Sequence, residues 1–336
     1  MNAPTQQLAI WRALNTALRD EFVEDPEVMI IGEDITTWGT GGGIYSVTRN
    51  LVGPFGKQRV RDTPISEEAI ISTGVGAAMS GTRTIVEIMY SDFTLLGSDG
   101  LINQAAKSRY MFGGQFSVPL VVRTTTGSSI GKGAQHSQSL ETIYAHVPGL
   151  EVVVPSTADD AYGLLRSAIK SNNPTLFLEH KALYYDKGPV TKELIPLGQA
   201  RVAREGTSIT IVATQLMVKR ALEAAVQLSE QGIDVEIIDP RTLYPFDMES
   251  VFSSVRKTRH LMVVHEAVRD YGWGGEFISN TVQECWGELD AAPRRLGAAR
   301  TPIPYSEGLE NAVVPSAQNI VDEVRNILGL RRMQIA

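Results

Sequence analysis

The stretch "DTPISEEAIISTGVGAAMSG" (residues 62–81) passes from an extended segment into a helix of small and apolar residues, and the β-forming run "RTIVEIM" (83–89) follows it. Ala69, Ile70, Ile71, Gly74, Gly76, Ala77 and Ala78 predict a helix over about 66–80 that packs its backbone close to a neighbour. Two carboxylates, Glu67 and Glu68, stand where that helix begins. The passage from strand to helix to strand is the unit from which the rest of the chain is read.

Outward from it, short β-branched runs alternate with longer helical patterns. Strands are expected at 28–32, 83–89, 119–125, 150–155 and 175–179, and helices near 66–80, 93–110 and 157–171. The last helix opens with "PSTADDA", where Ser156 or Thr157 can cap and Asp159 and Asp160 fall in the first turn. Near-continuous apolar strands between helices indicate a parallel sheet covered on both faces. The segment 184–208 is rich in Gly, Pro and charge and breaks the rhythm. Strands at 209–214, 234–239 and 260–266 then alternate with helices at 216–231, 247–256, 273–285 and 316–328. The expected fold is α/β: two three-layer domains with mainly parallel sheets, at 1–190 and 208–336, joined by a linker at 191–207.

Bulk composition narrows the function. The 336 residues are 43% hydrophobic and 21% charged, an ordinary globular mix, with a net charge of −7. No basic stripe stands ready to neutralise phosphates, so nucleic acid is not expected as a partner. The single cysteine, Cys285, rules out an internal disulfide framework. The start lacks the basic-then-apolar pattern of a signal peptide, and its Leu8, Trp11, Leu14, Leu18 and Phe22 recur at helical spacing. No run of about 18 apolar residues occurs, so no membrane span is expected. The expected location is cytoplasmic.

Two residues stand out chemically. Glu67 reads in one way as a first-turn acid: Ser66 can cap, and the helix dipole favours a carboxylate there by about 0.3–1 kcal/mol. It reads in another as a carboxylate in a dry pocket, sharing a proton with a bound heterocycle. His136, in "GAQHSQSLE" (133–141), follows the Gly-rich "TTTGSSIGKG" with no apolar periodicity around it. It is either a structural loop histidine or a proton donor and anion contact. "WGTGGGIYS" (38–46) lacks the spacing of a phosphate loop and reads as a surface loop. The remaining histidines show no metal-ligand pairing with acids.

The motifs "RVRDTPISE…GVGAAMSG", "INQAAKSRYMFGG", "GAQHSQSLE", "HVPGLEVVVPSTADDAYGLLRSAIKSNNPTLFLE" and, further on, "KTRHLMVVHEAVRDYGWGGEF" resemble a known family. It is the beta subunit of the thiamine-diphosphate-dependent first component of 2-oxo acid dehydrogenase complexes. The resemblance runs from about residue 6 to residue 328. It implies a pyrimidine-binding domain followed by a transketolase C-terminal-like domain. It implies that Glu67 faces the ring nitrogen of the cofactor's aminopyrimidine, that Met89 and Phe93 line the ring pocket, and that His136 sits at the substrate end. It further implies a potassium ion on backbone carbonyls at Leu120, Ala168, Ile169, Ser171 and Asn173, with Ser171 standing where relatives can have Asp.

The magnesium–diphosphate motif of thiamine enzymes is missing. "SDG" at 98–100 lacks its first Gly, and the Asn172–Asn173 pair is too distant. The resemblance therefore implies an alpha subunit that holds magnesium and the diphosphate, in an alpha2-beta2 heterotetramer. The implied reaction decarboxylates pyruvate or a branched-chain 2-oxo acid, or cleaves acetoin, and passes the acyl group to lipoyl on an acyltransferase. The tail "RRMQIA" runs past Leu330, where family chains often end and help clamp the acyltransferase. Altered docking of that partner is expected. Two rivals stay open: a split transketolase-like ketol transferase, for which the His136 loop offers only Lys132 as a nearby cation, and a non-catalytic stabilising subunit.

Overall fold

The computed structural model describes residues 6–37, 41–128 and 130–330. The tail after Leu330 and residues 38–40 of the glycine loop lie outside them. The chain divides into two compact units. The first holds residues up to Gly127, with Gln135–Leu197 and Thr242–Pro245. The second holds Ser128–Ala134, Gly198–Arg241 and the chain from Phe246 onward.

Elements of the first unit run β1 (Gln6–Ala9), α1 (Ile10–Glu24), β2 (Val28–Glu33), α2 (Val52–Arg59), β3 (Val60–Thr63), α3 (Glu67–Met79), β4 (Arg83–Tyr90), α4 (Ala106–Met111), β5 (Leu120–Thr126), α5 (Glu141–Ala145), β6 (Glu151–Val153), α6 (Ala158–Lys170), β7 (Thr175–His180) and β8 (Lys187–Val190). Those of the second are β9 (Arg201–Arg204), β10 (Ile209–Ala213), α7 (Leu216–Ser229) and β11 (Val235–Asp239). After β12 (Thr242–Tyr244), which belongs to the first unit, come α8 (Met248–Thr258), β13 (Leu261–Val268), α9 (Gly274–Cys285), β14 (Arg294–Ala298), α10 (Glu307–Val313) and α11 (Ala317–Ile327).

The first unit is built on a seven-stranded sheet of order β12-β6-β7-β5-β4-β2-β3. All its pairings are parallel except β12 on β6. The second unit has five strands in the order β14-β13-β10-β11-β9, with only β9 antiparallel. The two-domain α/β architecture with mainly parallel sheets is as the alternation predicts. Every residue of β5, β7, β10 and β11 is buried. That is the mark of strands covered on both faces, and it is why they read as unbroken apolar runs.

The helix that opened the sequence reading is α3. Gly74 is where its backbone meets the sheet: a Cβ there would lie 2.4 Å from Val86 Cγ2. Gly76 turns outward instead, with nothing within 4 Å of a Cβ. One of the two glycines expected to allow close packing therefore does so. Ser66 makes no side-chain cap bond to α3, contrary to the expected cap. Thr157 does cap α6, through a reciprocal box with Asp160.

The helix expected over 93–110 is broken into three. A 3₁₀ turn (Ser91–Leu95) is followed by a π-helical stretch (Gly100–Ala105) and then by α4. Close approach to α3 explains the break. A Cβ on Gly97 would lie 2.6 Å from Ile71 Cδ1, and one on Gly100 would lie 3.0 Å from Ser72 Oγ. Packing so tight overrides the regular helical period.

Candidate active site

The parallel strands of the first unit deliver several polar side chains near their carboxyl ends, where open α/β sheets place their ligands. Glu33 ends β2, and its backbone partner on β3 is Thr63. Four residues after the end of β3, Glu67 opens α3. It is half-buried, while Glu68 beside it is exposed. Burial pushes the Glu33 carboxyl above its ordinary value, and the nearby charges of Asp34 and Glu67 push it further. The charge of Glu67 is thus near enough to Glu33 to oppose its ionisation.

His136 lies in a loop without helix or strand, yet its position is well defined. Its ring stands edge-on to Tyr90, with centroids 4.6 Å apart, and to Phe93 at 5.2 Å. Tyr90 and Phe93 meet edge to face at 5.8 Å. Such T-shaped pairs are worth about 0.5–1.5 kcal/mol each beyond area burial. Lys181, itself buried, donates to the His136 carbonyl at 2.6 Å and sits 5.5 Å from the Tyr90 ring. Next along the loop, Gln138 donates its side-chain amide to Asp92 at 2.8 Å, and its carbonyl accepts from Ser91 and Thr126.

Beneath this aromatic box lies a buried ion network that the sequence reading did not single out. Arg123 on β5 donates to Glu179 of β7 from both Nε and Nη2 at 2.7 Å, and to Glu87 of β4 from Nη1 at 2.6 Å. Arg123 and Glu179 are 2% exposed, so this pairing is essentially dry. Burial alone would depress the guanidinium, but the two carboxylates more than offset it and hold it above its ordinary value. Burial pushes the Glu87 carboxyl up, and Arg123 opposes part of that rise. Tyr184 donates to Glu179 and stacks on Tyr45 at 4.4 Å. Tyr45 in turn hydrogen-bonds Tyr90; burial and that neighbour both raise its hydroxyl. Two hydrogen bonds and one ring stack therefore link the His136 box to the buried carboxylates.

The expected site residues fall as follows. His136 and Phe93 come together. Met89 lines a small recess with Tyr45, Glu87 and Arg123, and its carbonyl accepts from Thr125 at 2.7 Å. Glu67 opens α3 near enough to Glu33 for its charge to act on that carboxyl. At the turn expected to hold potassium, Arg83 Nη1 donates to the Ile169 and Ser171 carbonyls at 3.0 Å each. Glu151 draws Ser171 Oγ and Asn173 Nδ2 toward itself. Asp99 of "SDG" accepts from Asn103 and Gln104 one turn on, which makes it a helix-surface acid.

Sequence reading missed Glu33, Tyr90, Lys181 and the Arg123 network. A signal was present for the last: Glu87, Arg123 and Glu179 each directly follow a run of apolar residues in the strands "RTIVEIM", "PLVVRTT" and "TLFLE". Charges buried in adjacent strands must find one another. The aromatic box suits a flat ring held against aromatic edges, with a histidine able to move a proton.

Comparison with known proteins identifies the family. "Transketolase, pyrimidine binding domain" matches residues 6–187, and "Transketolase, C-terminal domain" matches 198–320. The chain is 41% identical to pyruvate dehydrogenase E1 component subunit beta-2, mitochondrial, of Oryza sativa subsp. japonica, over 95% of this chain and 86% of that one. It is 41% identical to the acetoin:2,6-dichlorophenolindophenol oxidoreductase subunit beta of Bacillus subtilis (strain 168), over 94% and 96%. Identity to the pyruvate dehydrogenase E1 beta subunit of Rickettsia conorii is 40%, over 96% and 98%. A solved split-gene transketolase, described as an inactive beta4 tetramer, shares the fold with a TM-score of 0.77 at 19% identity, over 97% and 99% of the two chains. Matched along almost its full length, the chain belongs to the dehydrogenase E1 beta subunits, built from transketolase pyrimidine-binding and C-terminal domains.

Proposed function

We propose that this chain is the beta subunit of an alpha2-beta2, thiamine-diphosphate-dependent dehydrogenase. It decarboxylates pyruvate or a branched-chain 2-oxo acid, or cleaves acetoin, and the acyl group passes to lipoyl on an acyltransferase. The observation that carries this reading is full-length similarity, about two residues in five, to E1 beta subunits of both the pyruvate and the acetoin enzymes. That likeness favours the dehydrogenase over the transketolase reading, for which fold alone speaks.

The residues present fit the cofactor's pyrimidine end. Glu67 is half-buried beside a second carboxylate, which suits a group that must share a proton. When bound, the cofactor supplies the electron sink for breaking the bond next to the carbonyl. The chain's own part is to orient and to hold protons. Glu67 holds a proton at the pyrimidine nitrogen, with the Glu33 carboxyl as its neighbour. Met89 and Phe93 exclude water from the ring. His136, fixed by Tyr90, Phe93 and Lys181, presents its imidazole to the substrate's carboxylate or to the acyl group in transit. Magnesium and the diphosphate belong to the alpha subunit in this scheme.

Potassium is the proposed occupant of the turn at Leu120, Ala168, Ile169, Ser171 and Asn173. Each carbonyl has two lone pairs, so Ile169 and Ser171 can serve both Arg83 and an ion. The adjacent guanidinium weakens any such ion by repulsion, so occupancy is expected only at high potassium. Thermal melts in potassium, against sodium at equal ionic strength, test this. A rise in midpoint only with potassium is expected, and identical curves would remove the ion.

The function itself is tested by assaying the chain, co-expressed with an alpha partner, for cofactor-dependent reduction of an electron-accepting dye. Pyruvate, branched-chain 2-oxo acids and acetoin are the panel. Turnover of one of them is expected and names the substrate. Silence on all three from a cofactor-loaded heterotetramer would move the assignment to ketol transfer.

A further inference from the structure

We propose that the second unit carries a binding site for a small multivalent anion, separate from the chemistry of the first unit. A cavity of about 610 Å³ opens along β14, the edge strand of the five-stranded sheet. Four arginines line it: Arg269 just past β13, Arg294 and Arg295 on β14, and Arg300 just after β14. Only two carboxylates, Asp270 and Glu323, share the cavity with them. Asp270 lies 3.3 Å from Arg269, and Glu323 lies 3.9 Å from Arg294. Among the described residues, Arg295 and Arg300 meet no carboxylate. In a chain whose acids outnumber its bases by seven, that is a local reversal of charge.

These two guanidiniums are held by packing instead. Arg300 lies over the Tyr271 ring, 5.6 Å from its centroid. Arg295 lies against the first turn of α9, where Gly275 makes room for it; a Cβ at Gly275 would come within 2.6 Å of Arg295 Nη1. On the other side, Val313, Val314 and Pro315 give an apolar wall. The volume is that of a small-molecule site, and the planar guanidinium fork matches carboxylate and phosphoryl oxygens two at a time.

A simpler account exists for part of this. Edge strands often carry cations to keep other strands from pairing with them. That accounts for Arg294 and Arg295 on β14. It does not account for Arg269 and Arg300, which come from outside the strand and line the same cavity. The ligand class that fits is a small molecule with two or more phosphoryl or carboxylate groups.

The test is calorimetric titration of the full-length chain at physiological salt with inorganic pyrophosphate, with citrate, and with adenosine as a neutral control. One anion bound per chain with a dissociation constant below about 1 mM is expected, and no heat from adenosine. Pyrophosphate alone would assign a phosphoryl ligand, citrate alone a polycarboxylate, and both a site that reads charge only. Affinity should fall at least tenfold in Arg295→Gln/Arg300→Gln and stay unchanged in Arg325→Gln, whose guanidinium bonds Gln231 outside the cavity. If the first variant misfolds, Arg269→Gln/Arg294→Gln replaces it with the same expectation. Absence of binding by both anions, or equal binding by the cavity variants, would overturn the proposal.

Discussion

Replacing Glu67 by Gln lowers turnover by roughly 10²–10⁴ in the assembled enzyme, the range that a positioned proton-sharing group contributes. The amide keeps the size of the carboxyl and can still donate or accept a hydrogen bond, but it cannot exchange a proton with a ring nitrogen. Because Glu67 is only half-buried, the unfolding midpoint should stay near that of the parent. Substrate KM should move little, since the loss falls on chemistry and not on binding. A second readout does not need the cofactor. The Glu33 carboxyl is held up first by burial and then by the charges of Asp34 and Glu67. Removing the Glu67 charge should therefore bring the Glu33 titration down, as followed by NMR of the side-chain carboxyl in the unloaded chain. Full turnover in Glu67→Gln would instead favour a non-catalytic stabilising subunit. An unmoved Glu33 would sink the influence of Glu67 on it while leaving the family assignment untouched.

What could be read in advance follows from the range over which each feature acts. Strands such as "PLVVRTT" and "TLFLE" announce themselves because burial on both faces demands unbroken apolar runs. The helix around Glu67 is legible because its small residues and its head acids are local. The break between Ser91 and Met111 is not legible, since it arises from the approach of Gly97 and Gly100 to α3, some twenty-five residues back in the chain. The three-residue β12 gives no pattern of its own, and only its antiparallel pairing with β6 brings Thr242–Tyr244 into the first sheet. His136 could be suspected from its loop, but nothing near it in sequence foretells the Tyr90 and Phe93 rings that fix it. The Arg123 network was visible in principle. A charge that follows an apolar run in a buried strand has to be satisfied, and three adjacent strands each carry one.

The largest stability effect should come from that network. Arg123→Leu is expected to cost about 3–5 kcal/mol of unfolding free energy, the usual penalty for removing one partner from a buried ion cluster. The loss arises less from the missing attraction than from what remains. Glu179 would stand 2% exposed with no cation, and Glu87, at 13%, would face it across the gap left by the guanidinium. Hydrogen bonding by Tyr184 to Glu179 supplies a donor but no charge. The penalty should also depend on pH in a definite direction. Burial already raises the folded-state Glu87 above its ordinary value, and Arg123 opposes part of that rise. Without Arg123 the rise is larger. A carboxyl raised in the folded state contributes stability below its unfolded value and loses it as pH rises through the folded value. The variant should therefore be weakest at neutral pH and regain ground on the parent as pH falls toward the carboxylate range. Urea unfolding of both proteins at roughly pH 7 and pH 5 reads this out. Adding Glu87→Gln and Glu179→Gln to Arg123→Leu removes the stranded charges and should recover much of the loss, because a buried ion cluster replaced as a whole is often close to neutral. A loss below about 1 kcal/mol in Arg123→Leu, or no recovery in the triple variant, would mean that water reaches these carboxylates and that the network is not the dry one its geometry describes.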